Sequence, residues 1–139
     1  FLNVSAKHTR NDMARAVYEG VALNIRWAMR DFDRLAGSAG TPLRFVGGGG
    51  TSSLWCQIFA DVLQRPIELV VDPDLGGARG AAMTAAIAAG WYDNISDAAT
   101  MTKVARVYGP NADMADHYAA RFVRFSASYK RLKSWYRDA

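Results

Sequence analysis

The sequence has a single cysteine, no long apolar run and no recognisable nucleophile–base arrangement, and each shortage removes a class of function. Cys56 has no partner for an internal disulfide or a cysteine-rich metal site. Lying between Trp55 and Gln57 in a helical stretch, it reads as a small core or boundary residue. No apolar run approaches the length that spans a bilayer. The start, Phe-Leu-Asn-Val-Ser, lacks a charged region followed by a hydrophobic stretch, so it does not read as a signal peptide. It also lacks an initiating methionine, which fits a piece of a longer chain and equally a processed or shortened one. The two histidines, His8 and His117, are far apart in sequence, and each is expected at the surface. Serine, histidine and aspartate occur in no triad-like pattern, and no His/Asp/Glu spacing suggests a metal cage.

What is present is a composition for one soluble globular domain: 139 residues, 50% hydrophobic and 22% charged. The formal net charge of +4 invites a nucleic-acid reading. The excess, however, lies mostly at the end, in Arg121, Arg124, Lys130, Arg131, Lys133 and Arg137, where a solvated helix face explains it. With no base-reading motif beside that charge, neither a nucleic-acid nor a membrane partner is expected.

Residues 45–64 are the most informative segment. A short apolar run, Leu43 to Val46, ends in Gly47, Gly48, Gly49 and Gly50; Thr51 and Ser52 then open an amphipathic helix over about 53–63. This order reads as strand, glycine turn and helix N-terminus. Glycines allow positive φ and close approach of a ligand, and a helix start offers unpaired N–H groups that suit a phosphate. The run is neither the dinucleotide fingerprint nor a P-loop, since no Lys-Ser/Thr follows.

Elsewhere, a helix is predicted over about 10–36, with Thr9 as N-cap and Gly37 as its stop. Met13, Ala16, Val17, Gly20, Val21, Asn24, Ala28, Phe32 and Leu35 form its expected core stripe, with Asn24 as a satisfied core amide. The helix at 53–63 should turn Leu54, Ile58, Phe59, Val62 and Leu63 inward. Gln64-Arg65-Pro66 breaks it, and residues 67–71 form a second strand, parallel to the first through a right-handed crossover. Asp72 and Asp74 at a strand end could face a ligand or a metal, yet Asp72-Pro73-Asp74 is primarily turn chemistry. Gly76 then opens a small-residue helix to Ala89, stopped by Gly90, in which Gly80 is expected to lie against another backbone. Residues 104–110 read as an extended link. A last helix, about 112–137, carries a core stripe of Tyr118, Phe122, Phe125, Tyr129, Leu132 and Tyr136.

Three segments in order carry a family resemblance. Val46-Gly-Gly-Gly-Gly-Thr-Ser52 with Leu54-Trp55 and Gln57 resembles the nucleotide-binding segment of the FGGY carbohydrate kinases, especially xylulokinase-like members. Residues 12–22 resemble the second signature, and Gly77-Ala-Arg-Gly-Ala-Ala82 is similar to the Gly-Ala-x-Gly-Ala-Ala helix start. The resemblance implies an α/β fold: part of an actin-like, ribonuclease H-like ATPase domain, with a parallel βαβ unit packed by long helices. Residues 1–139 would be the C-terminal part of the second, nucleotide-binding domain, with the N-terminal domain absent. It further implies a cytoplasmic, ATP- and Mg2+-dependent kinase acting on a sugar, a pentulose such as xylulose by overall similarity. The partners implied are ATP, a sugar and the N-terminal domain, with a homodimer left open. By position, Gly47, Gly48 and Gly49 would face the phosphate–ribose side and Ser52 the adenosine; Gly77, Ala78 and Gly80 would support the cleft wall. No residue is assigned a catalytic role or a metal. Two departures stand out: Gly50-Thr51 replaces the family's Ala-Lys, and Asn3 stands where the second signature has glycine. The alternative from another class is a non-catalytic nucleotide-binding or interaction module of actin-like fold.

Overall fold

Local signals set the first helix. In the computed structural model, which describes residues 3–137 and, of Tyr136 and Arg137, only the backbone, helix α1 spans Arg10–Ala36. Thr9 and Asp12 close a reciprocal capping box, with the Thr9 N–H donating to Asp12 Oδ2 at 2.8 Å. That bond, with the one from the Thr9 hydroxyl, holds the Asp12 carboxyl below its usual range. Gly37 ends the helix at φ 61°, in the left-handed region that glycine enters without a Cβ clash.

Strand β1, Leu43–Phe45, pairs in parallel with β2, Ile67–Val70, and helix α2, Ser53–Leu63, crosses between them. The expected βαβ unit is therefore present. The extended link is not a link: Val104–Tyr108 forms strand β3, antiparallel to β2. Its alternating residues take up the ladder groups that β2 would otherwise leave open. The sheet order is β1-β2-β3. Helix α3 covers Gly76–Ala88, α4 is the short Ile95–Ala98, and α5 runs Ala115–Arg137.

Helix α2 is the centre of the core. Cys56, Ile58, Phe59, Ala60 and Val62 are buried along with Ile67, Tyr108 and Tyr118. Leu54 departs from expectation, because it lies at the first turn on the outer side and is half exposed. On α1 the covered face is displaced from the expected stripe. Ala22 and Leu23 are buried and Tyr18 packs on the core, whereas Val17, Val21, Phe32 and Leu35 are exposed, Leu35 at 85%. Asn24 is exposed too, so it is not a core amide. Tyr118 of α5 is buried as expected and ties the two long helices, donating to Glu19 and accepting from Arg15. Tyr129 is 53% exposed, although its ring meets Trp27 edge-on. The expectation for the Tyr136 side chain lies outside the described residues.

A residue read only as part of a helix break joins three segments. Arg65, 3% exposed, directs its guanidinium N–H groups to both Asp33 oxygens, the Ser38 carbonyl, and the Thr41 carbonyl and hydroxyl. All three guanidinium nitrogens thereby have acceptors, which is what makes its burial tolerable.

Candidate functional site

The glycine turn sits where β1 leaves the sheet. Gly48–Thr51 forms one 3-10 turn, and Ser52 then caps α2 by accepting from the Trp55 N–H. The four glycines answer to different constraints. Gly47 takes φ 93°, a conformation that L side chains rarely adopt. A Cβ on Gly49 would lie 2.7 Å from the Trp55 ring, and one on Gly50 would lie 2.7 Å from Leu69 and 2.9 Å from Pro73. Only Gly48 combines an ordinary φ with open space around a would-be Cβ. The expected glycine face thus divides into a conformational position, a solvent-facing position and two inward packing positions.

Trp55 is the floor of this turn. It stacks on Tyr18 at 5.1 Å and touches Phe45 and Phe59. The sequence offered Trp55 only as part of a motif. The aromatic pair Phe45–Phe59, two residues before Gly47 and nine after Gly50, was the available hint that the turn rests on rings. Gln57 of the same motif donates to the Gly109 carbonyl and to Asp61, whose carboxylate also accepts from the Asn111 N–H. These bonds fasten the β3–α5 connection to α2.

A second turn braces the first. Asp72, at φ 46°, leads into the 3-10 turn Pro73–Leu75, and the Pro73 carbonyl accepts from the Gly47 N–H. A Cβ on Gly76 would meet Val46 at 3.1 Å, so the two turns interlock closely. Arg79 donates from Nη2 to the Val71 carbonyl at 2.7 Å.

Several expectations change here. A Cβ at Gly77 or Gly80 meets nothing within 4 Å, so within the described residues neither glycine packs against another backbone. The first half of α3 faces outward, where small residues need no packing partner. Asn3 adopts φ 59°, the left-handed region that asparagine reaches more readily than most residues, so it meets the conformation a glycine would offer. The replacement Gly50 is required by Leu69 and Pro73, and the Thr51 hydroxyl donates to the Gly48 carbonyl at 2.7 Å. Cys56 is buried as expected, and burial pushes its thiol up.

The two histidines are exposed, as expected, and border one cleft although the sequence separates them. His8 and His117 both line a cleft of about 740 Å³ between the start of α1 and α5, with Arg15, Glu19, Arg121 and Arg124. None of the glycines at 47–50 borders it. Among the described residues no group of three His, Cys, Asp or Glu could hold a metal.

A glycine turn at the C-terminal end of a parallel strand, followed by a capped helix, is the place where open α/β sheets commonly receive ligands. Over residues 1–89 the chain matches the C-terminal domain of the FGGY family of carbohydrate kinases, and it belongs to that family. A xylulose kinase of Staphylococcus epidermidis is 32% identical over 134 residues, covering 96% of this chain and 27% of that protein. The glycerol kinase of Acaryochloris marina is 29% identical, covering 97% of this chain and 26% of its own length. The crystal structure of the Rhodospirillum rubrum xylulose kinase superposes with TM-score 0.81 at 35% identity, over 99% of this chain and 28% of that one. The fold is accordingly the actin-like, ribonuclease H-like one of the FGGY sugar kinases. The chain spans about a quarter of the length of these relatives.

Proposed function

We propose that this chain is the C-terminal, nucleotide-binding part of a longer, cytoplasmic ATP-dependent kinase whose substrate is a pentulose such as xylulose. The observation that carries the reading is the glycine turn itself. Gly48 leaves open space where a Cβ would stand, while Trp55 and Pro73 hold the backbone from behind. Such a cradle fits a phosphate–ribose edge approaching the main chain. In this reading Gly47, Gly48 and Gly49 line that edge. Ser52 stands toward the adenosine, although its Oγ is already engaged in capping α2. MgATP supplies the phosphoryl group, and catalysis rests on positioning and charge neutralisation.

The site is one-sided. The bare apolar face of α1, with Val17, Val21, Phe32 and Leu35, is assigned to the remainder of the longer protein, which in the relatives is nearly three-quarters of the length. That remainder would bring the sugar contacts and the general base. The test is a coupled ATPase assay of the longer protein against pentuloses, hexoses and polyols, beside the same assay on the 139-residue chain. Turnover with a pentulose by the former and none by the latter is expected. Sugar-dependent turnover by the short chain, or none by the long one with any sugar, contradicts the proposal.

A further inference from the structure

We propose that Arg79 is a positioning residue for the glycine turn, fixing the Gly47 amide through the Asp72–Leu75 turn and thereby setting nucleotide affinity without contact with the nucleotide. The inference rests on the reading of residues 47–52 as a nucleotide wall.

The chain of contacts is short. Beyond β2, the Val71 N–H donates at 3.0 Å to the carbonyl of Lys103, the residue before β3, which holds one side of Val71. The other side, the Val71 carbonyl, is held by Arg79 Nη2. Among the described residues this is the one side-chain hydrogen bond reaching residues 71–76. The next residue, Asp72, takes the left-handed conformation, costly for a non-glycine residue and kept only where its surroundings impose it. The Leu75 N–H closes the turn on the Asp72 carbonyl at 3.1 Å, and the Pro73 carbonyl takes up the Gly47 N–H. Gly47 in turn holds φ 93°. With the Val71 carbonyl released, the peptide between Val71 and Asp72 is free to rotate and relieve Asp72. That rotation moves Pro73 away from Gly47. The remaining arm of the fork, Nη1, is buried and has no hydrogen-bond partner. Arg79 is partly buried, with Nη1 covered, and among the described residues the Val71 carbonyl is its only hydrogen-bonded acceptor, an arrangement that suits orientation of this turn better than general stabilisation.

The test measures amide hydrogen exchange of Gly47 and Phe59, together with ATP kinetics of the longer protein, in wild type, Arg79→Met and Arg79→Lys. For Arg79→Met, Gly47 exchange should rise about tenfold or more while Phe59 in the α2 core is unchanged, since only a local opening is eased. The KM for ATP should rise about fivefold to twentyfold with kcat within about twofold, the pattern of weakened binding without loss at the reacting centre. Arg79→Lys keeps one donor for the Val71 carbonyl and should fall between the two in both readouts. If Arg79→Met does not fold, Arg79→Lys alone decides, and wild-type Gly47 exchange in it overturns the proposal. Unchanged Gly47 exchange in a folded Arg79→Met, or raised exchange with unchanged KM, also overturns it. Absence of any nucleotide binding by wild type would instead overturn the reading of the turn, leaving Gly47 exchange to judge the brace separately.

Discussion

Helices α1 and α2 lie side by side and are both amphipathic, yet they are covered very differently. Of the 11 residues of α2, six are buried; of the 27 in α1, only Ala22 and Leu23 are. Helix α2 is surrounded by α1, α5 and the sheet, so nearly every direction has a partner. Helix α1 meets α2 and α5 along one side and leaves a second apolar stripe open. The difference marks α2 as the local organiser of this chain, whereas on the proposal above α1 serves two neighbours, this domain and the remainder of the longer protein.

The largest expected effect tests what joins the two. Arg65→Ala strands the Ser38 and Thr41 carbonyls and removes the partner of the part-exposed Asp33; at about 1–3 kcal/mol for each stranded acceptor, the loss should reach about 3–5 kcal/mol. A urea midpoint near wild type would show that the α1 end is held by other contacts.

Next comes the contrast itself. Ile58→Ala, at a site 1% exposed, should cost about 2–5 kcal/mol. Leu35→Ala, at a site 85% exposed, should stay within about 0.5 kcal/mol in the 139-residue chain. In the longer protein the Leu35 penalty should grow to core size. Equal small effects of Leu35→Ala in both forms would break the idea that α1 serves two neighbours.

Glycine positions sharpen the same division. Gly49→Ala drives a methyl into the Trp55 ring and should cost about 1–3 kcal/mol. Gly80→Ala meets open space inside a helix and should instead stabilise by about 0.5–1 kcal/mol. A lower urea midpoint for Gly80→Ala would restore the backbone contact first expected there.

The smallest effect is acid sensitivity at the joint. The Ser38 hydroxyl, with Arg65 beside it, holds the Asp33 carboxyl below its usual range. A depressed folded-state pKa contributes stability above the unfolded value of about 3.9 and loses it as the pH falls through the folded value. The urea midpoint of wild type should therefore drop below about pH 4 more steeply than that of Asp33→Asn. Parallel curves would remove Asp33 from the account.

Where a signal is local, the sequence was readable. Thr9, Asp12 and Gly37 bound α1 through their own side chains and backbone, and the run from Val46 to Leu63 gave the glycine turn and α2 at their observed places. The features it hid depend on distant partners. Val104–Tyr108 becomes a strand because β2 has a free edge, which residues 104–108 do not announce. Two apolar stripes coexist on α1, and periodicity cannot choose the one that Tyr18, Ala22 and Leu23 occupy. Arg65 draws its partners from residues 33, 38 and 41, so beside Pro66 it looked only like punctuation. At the site, the order of glycines and hydroxyls was legible, while the Trp55 floor and the Pro73 brace required the fold.

The central claim is that the open side of the glycine turn receives a nucleotide. Its most direct test is calorimetric titration of a non-hydrolysable ATP analogue into the longer protein and its Gly48→Val variant. A Cβ added there meets no protein atom within 4 Å. The account predicts affinity weakened by about 1–3 kcal/mol, from steric exclusion at the backbone, with sugar affinity largely retained. Unchanged nucleotide affinity in a correctly folded Gly48→Val variant would contradict it.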